Sequence, residues 1–241
     1  MATRIYLGNL VSGAGLSPTF GAGWHRNADA DRRFCGPKKF GTAMASKNVI
    51  TSTAETVSFC LNRQYLSDPM VAMTLSGTLK GQLRALESNA GLNATSAIRV
   101  AICNEDGTNI REVVAIAASD LTTSTPPEYA TSLTNRRFQN SAESASISLT
   151  STTVNEKDRL ILEIGIRESN TTANRNADQS FGDDSATDLA EDDTTTTADN
   201  PWIEFTANIV FRSVSWQPNY PPVVWEKPEA NAYGLVVPKS E

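Results

Sequence analysis

Apolar residues recur at every second position through much of the chain beyond residue 55. Val57, Phe59 and Leu61 alternate with Ser58, Cys60 and Asn62, and Leu79, Gly81, Leu83 and Ala85 alternate with Lys80, Gln82 and Arg84. Period-two alternation sends successive side chains to opposite faces of a strand, so each stretch predicts a strand with one buried and one wet face. Ile98, Val100 and Ile102 repeat the scheme and run into Asn104, Glu105, Asp106 and Gly107. Asp-Gly readily takes the positive φ angles of a tight connection, which predicts a hairpin returning through residues 110–116. After the Pro126-Pro127 break, Ile147 and Leu149 lead through the polar turn 155–158 into the strongest strand of the chain, 159–167. Leu160, Leu162, Ile164 and Ile166 share one face there, and Ile161 on the other predicts a central strand covered on both sides. A last regular strand is predicted over 202–211, where Ile203, Phe205, Ala207, Ile209 and Phe211 alternate with Glu204, Thr206 and Asn208.

Seven or eight strands are therefore expected between residues 50 and 215. Helical periodicity is weak throughout; the best candidate, 112–118, is rich in β-branched residues that suit a strand. Strands at this spacing predict an all-β fold, a jelly-roll-like antiparallel β-sandwich over 48–216, rather than a parallel βαβ fold. Residues 1–47 open with a plausible strand, 3–10, and then become Gly-rich and basic. With too few apolar positions for a core of its own, this stretch is expected as an extended N-terminal arm lying over something else. Residues 169–200 read as a long acidic loop. Residues 217–241 read as an extended C-terminal tail, because Pro218, Pro221, Pro222 and Pro228 are interleaved with Tyr220, Trp225 and Tyr233.

Composition sharpens this reading at three points. The formal charge of −6 is local, since seven of the 27 acidic residues (Asp183, Asp184, Asp188, Glu191, Asp192, Asp193 and Asp199) lie in one stretch without Lys or Arg, leaving 20 against 21 basic residues elsewhere. Global charge therefore argues neither for nor against a polyanionic partner. The three cysteines, Cys35, Cys60 and Cys103, form an odd set without metal-ligand or redox spacing, so reduced thiols and a cytoplasmic folding environment are expected. No apolar run is long enough to span a bilayer and no export signal opens the chain, so no membrane partner is expected.

Candidate chemistry is sparse. His25 is the single histidine, which removes His-based metal centres and the usual Ser-His or Cys-His nucleophile pairs. The Gly-Ala-Gly stretches at 13–15 and 21–23 do not sit between a strand and a helix as a nucleotide fingerprint requires, and read as flexible arm. Glu163 and Glu204 are the best strand-borne carboxylates for a glycosidase-like pair, but each lies on the more polar face of its strand, where a solvated Glu is expected. The acidic loop lacks the Asp-x-Asp-x-Asp-Gly spacing of a calcium loop. The basic set Arg26, Arg32, Arg33, Lys38 and Lys39 lacks the regularly spaced aromatics of a base-stacking surface, so a protein partner is favoured over sequence-specific nucleic acid. No enzymatic activity, cofactor or metal is expected.

The stretches 63–69 (RQYLSDP), 75–89 (LSGTLKGQLRALESN), 98–100 (IRV), 158–165 (DRLILEIG) and 202–205 (WIEF) resemble a group of tailed-bacteriophage virion proteins, over about residues 1 to 212. The acidic insertion and the aromatic tail lie outside the match. The resemblance implies a jelly-roll domain and membership of a virion, and it supplies no active site. The expectation is a capsid decoration or cement protein, made and assembled in the host cytoplasm, with major capsid or other virion proteins as partners. Trp24, Arg32, Arg33, Phe34, Trp216, Tyr220, Trp225 and Tyr233 are the candidate interface residues. Deleting 1–47 is then expected to abolish incorporation while the domain still folds. Apolar tail residues such as Val223, Val224 and Leu235 predict self-association, most simply a trimer. The alternative is a carbohydrate- or receptor-binding module of a tail or neck appendage, with Tyr129, Phe138 and Phe181 as stacking aromatics.

Overall fold

The structure is a computed structural model, and it describes residues 1–11, 15–27, 30–51, 58–116, 128–138, 146–169, 175–194 and 197–212. Twelve strands appear among these residues: β1 (Thr3–Tyr6), β2 (Asp31–Cys35), β3 (Ala45–Thr51), β4 (Ser58–Pro69), β5 (Met73–Glu87), β6 (Thr95–Cys103), β7 (Arg111–Val114), β8 (Thr134–Arg137), β9 (Ile147–Val154), β10 (Arg159–Glu168), β11 (Arg175–Phe181) and β12 (Trp202–Phe205). One 3-10 turn, Ala90–Leu92, is the helical element among them. No helix among the described residues is long and apolar enough to cross a membrane.

Two sheets pack face to face. The five-stranded sheet runs β2-β4-β10-β6-β7, and its centre is the strand predicted to be central. The seven-stranded sheet runs β1-β12-β5-β11-β3, with β8 and β9 paired to the other edge of β5. The fold is thus an all-β, jelly-roll-like sandwich. Its ladders are antiparallel except for β2, which lies parallel to β4. Leu160, Leu162, Ile164 and Ile166 of one sheet meet Leu75, Leu79, Leu83, Ile203 and Phe205 of the other in a single core. The predicted hairpin joins β6 to β7, with Gly107 at φ +84° in the turn, where a side chain would be strained.

Several expectations differ from the structure. Among the described residues nine strands, not seven or eight, lie whole between residues 50 and 215. The first strand ends at Tyr6 and the last at Phe205, while Phe211 only bridges Met70. The long acidic loop contains β11, which pairs with both β5 and β3. Its side chains hid it: Asn176, Asp178 and Ser180 alternate with Ala177, Gln179 and Phe181, giving only two apolar residues on the inner face. The N-terminal stretch lies over its own sandwich, supplying β1 and β2 whole and the start of β3. Deleting 1–47 would remove edge-strand residues from both sheets and bare apolar surface, so the remainder is expected to lose stability rather than fold unchanged.

Candidate functional site

Each sheet has an outer face, and a non-strand segment crosses each one. On the five-stranded sheet, Phe20, Trp24 and Ala30 pack on Leu61, Ala97 and Ile116, and Leu16 packs beside Leu66, Ala101 and Ile161. Glu163 lies beneath this N-terminal cover, fully buried. Its Oε1 accepts from Gln64 Nε2 at 2.9 Å and pairs with Arg99 Nη1 at 3.0 Å, and its Oε2 accepts from Trp24 Nε1 at 2.6 Å. The Gly21 amide donates to both oxygens. Arg99 also forks onto Glu112, and Arg32 donates to Gln64 Oε1 at 3.0 Å while stacking over Phe20. The expected solvated Glu163 is thus a buried joint, because the segment that covers it is distant in sequence. Gly21 is required by the close approach: a Cβ there would stand 2.4 Å from Arg99 Cδ.

On the seven-stranded sheet the outer face is cationic and aromatic. Register aligns Arg4 and Tyr6 of β1 with Glu204 and Trp202 of β12, then with Lys80 and Gln82 of β5, and Gln82 and Arg84 with Arg137 and Asn135 of β8. The acidic segment after β11 lies across this face. Asp188 pairs with Arg4 at 3.0 Å and Lys39 at 2.9 Å, Glu191 with Lys80 at 2.5 Å, and Asp193 with Arg137 at 2.9 Å. Trp202 Nε1 donates to the Leu189 carbonyl at 2.9 Å, and Leu189 is buried. Asp183 is buried and accepts from the amides of Phe40 and Thr42, both at 2.6 Å. Burial pushes the Asp188 carboxyl up, but hydrogen bonds from Lys39, Asn200, Arg4 and Tyr6 outweigh it and hold it below the usual value. Residues 183–193 of the acidic loop are thus docked on the sheet. Among the described residues no group of three or more metal-ligating side chains comes together.

The candidate interface residues divide. Trp24 and Phe34 are buried, Phe34 edge-on to Phe40, and Arg32 belongs to the Glu163 network. Arg33 pairs with Asp31 at 2.5 Å. Each of these four is engaged within the chain, Trp24 and Phe34 by burial and Arg32 and Arg33 by pairing while half-buried. Trp216, Tyr220, Trp225 and Tyr233 lie outside the described residues. Tyr129, Phe138 and Phe181 are core residues and offer no face for stacking a sugar.

The groups that invited catalytic readings are likewise engaged. Glu163 and Glu204 point from opposite outer faces of a sandwich whose sheets pack about 10 Å apart, so they cannot flank one glycosidic bond. His25 Nδ1 accepts from the Phe59 amide at 2.9 Å. The three cysteines are free and buried; burial pushes the Cys60 thiol up to about 12 and the Cys103 thiol up to about 11, so neither is an activated nucleophile.

No protein-family model and no curated protein matches the sequence. Among solved structures the chain is similar to a CocE/NonD family hydrolase from Staphylococcus aureus (TM-score 0.42, 7% identity, 87% of this chain and 36% of that one). It is similar also to an alpha-amino acid ester hydrolase (0.41, 8%, 84% and 35%) and to the VP2 subviral particle of infectious bursal disease virus (0.21, 9%, 67% and 36%). The chain spans only about a third of the length of each, and likenesses this weak bear on neither activity nor assembly.

Proposed function

We propose that the chain is a non-enzymatic structural protein of a virion, and specifically a capsid decoration or cement protein that acts through protein contacts. The observation that carries the non-enzymatic part is Glu163: the carboxylate best held for chemistry is fully buried and saturated by Gly21, Trp24, Gln64 and Arg99. A general acid or base needs a reacting group within hydrogen-bond reach, and this one is enclosed by its own chain. The virion part rests on the phage-like stretches 63–69, 75–89 and 158–165, which form β4, β5 and β10 of the sandwich core.

The contacts to major capsid or other virion proteins are assigned to the aromatic tail beyond residue 212 rather than to the N-terminal segment, whose anchors are used internally. The tail also remains the proposed route to a trimer. Co-sedimentation with purified empty capsids tests the reading. Saturable binding at micromolar concentration, weakened in a chain ending at Ser215, is expected. Absence of binding to capsids that lack the protein would overturn it, and light scattering that finds both chains monomeric would overturn the trimer.

A further inference from the structure

The acidic segment is held in a manner that resembles recognition of a peptide. Residues 188–193 add no ladder to the sheet; side chains of the sheet reach them instead. Three side-chain donors reach three of its backbone carbonyls: Trp202 Nε1 donates to Leu189 at 2.9 Å, Asn135 Nδ2 to Ala190 at 2.5 Å, and Arg136 Nη1 to Asp193. Three cations take the carboxylates between and beside them, Arg4 at Asp188, Lys80 at Glu191 and Arg137 at Asp193. N–H donors aimed at backbone carbonyls and placed between cations discriminate an extended acidic peptide from a simple polyanion, which carries no such carbonyls.

The segment is also an incomplete occupant. Gln82 and Asn135 are buried on this outer face, yet Gln82 Oε1 and Asn135 Oδ1 accept no hydrogen bond among the described residues. A buried acceptor left unpaired is costly, and the great majority in folded proteins are satisfied. The segment offers its carbonyls downward and leaves these two acceptors unmatched. A peptide in another register, presenting amide N–H groups there, would pair them. The ion pairs that hold the segment are partly solvent-exposed, the class of contact that is individually weak and screened by salt.

We propose that the outer face of the seven-stranded sheet, built by Arg4, Lys80, Asn135, Arg137 and Trp202, with Arg136 reaching round the edge strand β8 from its other face, is a docking surface for an extended acidic peptide of a partner protein. Residues 188–193 occupy it in cis as a competitor, so docking requires their displacement. This inference stands apart from the virion reading, because it is argued from the face alone and its test uses no capsid.

The probe is a fluorescein-labelled peptide of residues 187–194, Thr-Asp-Leu-Ala-Glu-Asp-Asp-Thr, read by fluorescence anisotropy at low salt against the full chain. The triple variant Asp188→Asn, Glu191→Gln, Asp193→Asn weakens the internal cover. It should bind the probe at least tenfold more tightly than the wild type does. Adding Lys80→Ala and Arg137→Ala should remove that gain, and a scrambled peptide of equal composition should bind at least fivefold more weakly. If the triple variant does not fold, Glu191→Gln alone carries the test with a gain of about threefold. Equal binding to wild type and variant, no binding to either, or inorganic polyphosphate binding the variant as tightly as the peptide would each overturn the proposal.

Discussion

Residues 16–27, with Ala30, on the five-stranded sheet and residues 183–194 on the seven-stranded sheet do the same geometric task with opposite chemistry. The first lays Leu16, Phe20 and Trp24 on apolar positions and closes over one fully buried carboxylate. The second lays Asp188, Glu191 and Asp193 on Arg4, Lys80 and Arg137, with Leu189 as its one buried apolar contact. Burial of apolar area is indifferent to salt of ordinary strength, and a charge pair removed from water cannot lose one member cheaply. Exposed and half-exposed ion pairs contribute little each and weaken as salt rises. The first cover therefore belongs to the core of the fold, whereas the second is a cover that conditions can lift.

The largest effect is expected under the first cover. Glu163→Ala leaves Trp24 Nε1 and the Gly21 amide without their acceptor and takes one of the two carboxylates from the buried Arg99 guanidinium, which keeps Glu112; with each buried donor left unsatisfied costing about 1–3 kcal/mol, a loss of about 3 kcal/mol is expected. Urea unfolding should report that loss unchanged between low and high salt. A loss under 1 kcal/mol would mean that the network is dispensable and the comparison fails.

An intermediate effect is expected at Glu87, which neither cover touches. Burial, with Glu128 beside it, pushes its carboxyl up to about 7, against a hydrogen bond from the Ala94 amide and the charge of Arg175. A raised carboxyl favours the protonated native state, so its contribution is fully present below about pH 4.5 and lost as pH rises through about 7. Wild-type stability should fall on the order of 1–2 kcal/mol across that window, and Glu87→Gln should flatten the slope. Thermal unfolding between pH 4.5 and 8 checks it, and added salt should not abolish the slope if it arises from burial.

The smallest effect belongs to the second cover. Asp188→Asn removes the pairs to Arg4 and Lys39, and about 0.5–1 kcal/mol should be lost at low salt and less at 1 M. Because the Asp188 carboxyl is held below its usual value, its contribution is present above about pH 3.8 and lost as pH falls through the lower native value. A salt-independent loss as large as that of Glu163→Ala would erase the distinction.

How much of this was legible in the chain depends on where each side chain finds its partner. β5, β6 and β10 carry their burial pattern in their own alternation, so their existence and the central position of β10 could be read directly. β11 could not, because its inner face includes Gln179, satisfied by Asn62, Tyr129 and the Gly165 carbonyl rather than by apolar packing. β8, four residues reading Thr-Asn-Arg-Arg, had no apolar signal at all. Both covers escaped for the same reason. Trp24 and Glu163 are 139 residues apart, and nothing near either indicates that they meet. The acidic stretch was visible as composition, but the cations that receive it come from β1, β5 and β8, separated in sequence and aligned only by register. The one usable signal was charge balance: a local excess of carboxylate in a chain otherwise near neutrality asks where its counter-charge lies.

Native-state hydrogen exchange on the full chain at 0.05 and 1 M NaCl tests the difference between the covers most directly. The Leu189 and Asp192 amides, which donate to the Asn200 and Ala190 carbonyls, should exchange at least tenfold faster at high salt, while the donating amides of Gly21, Trp24, His25 and Arg26 keep their protection. Equal responses from the two segments, or a faster response from residues 20–26, would contradict it.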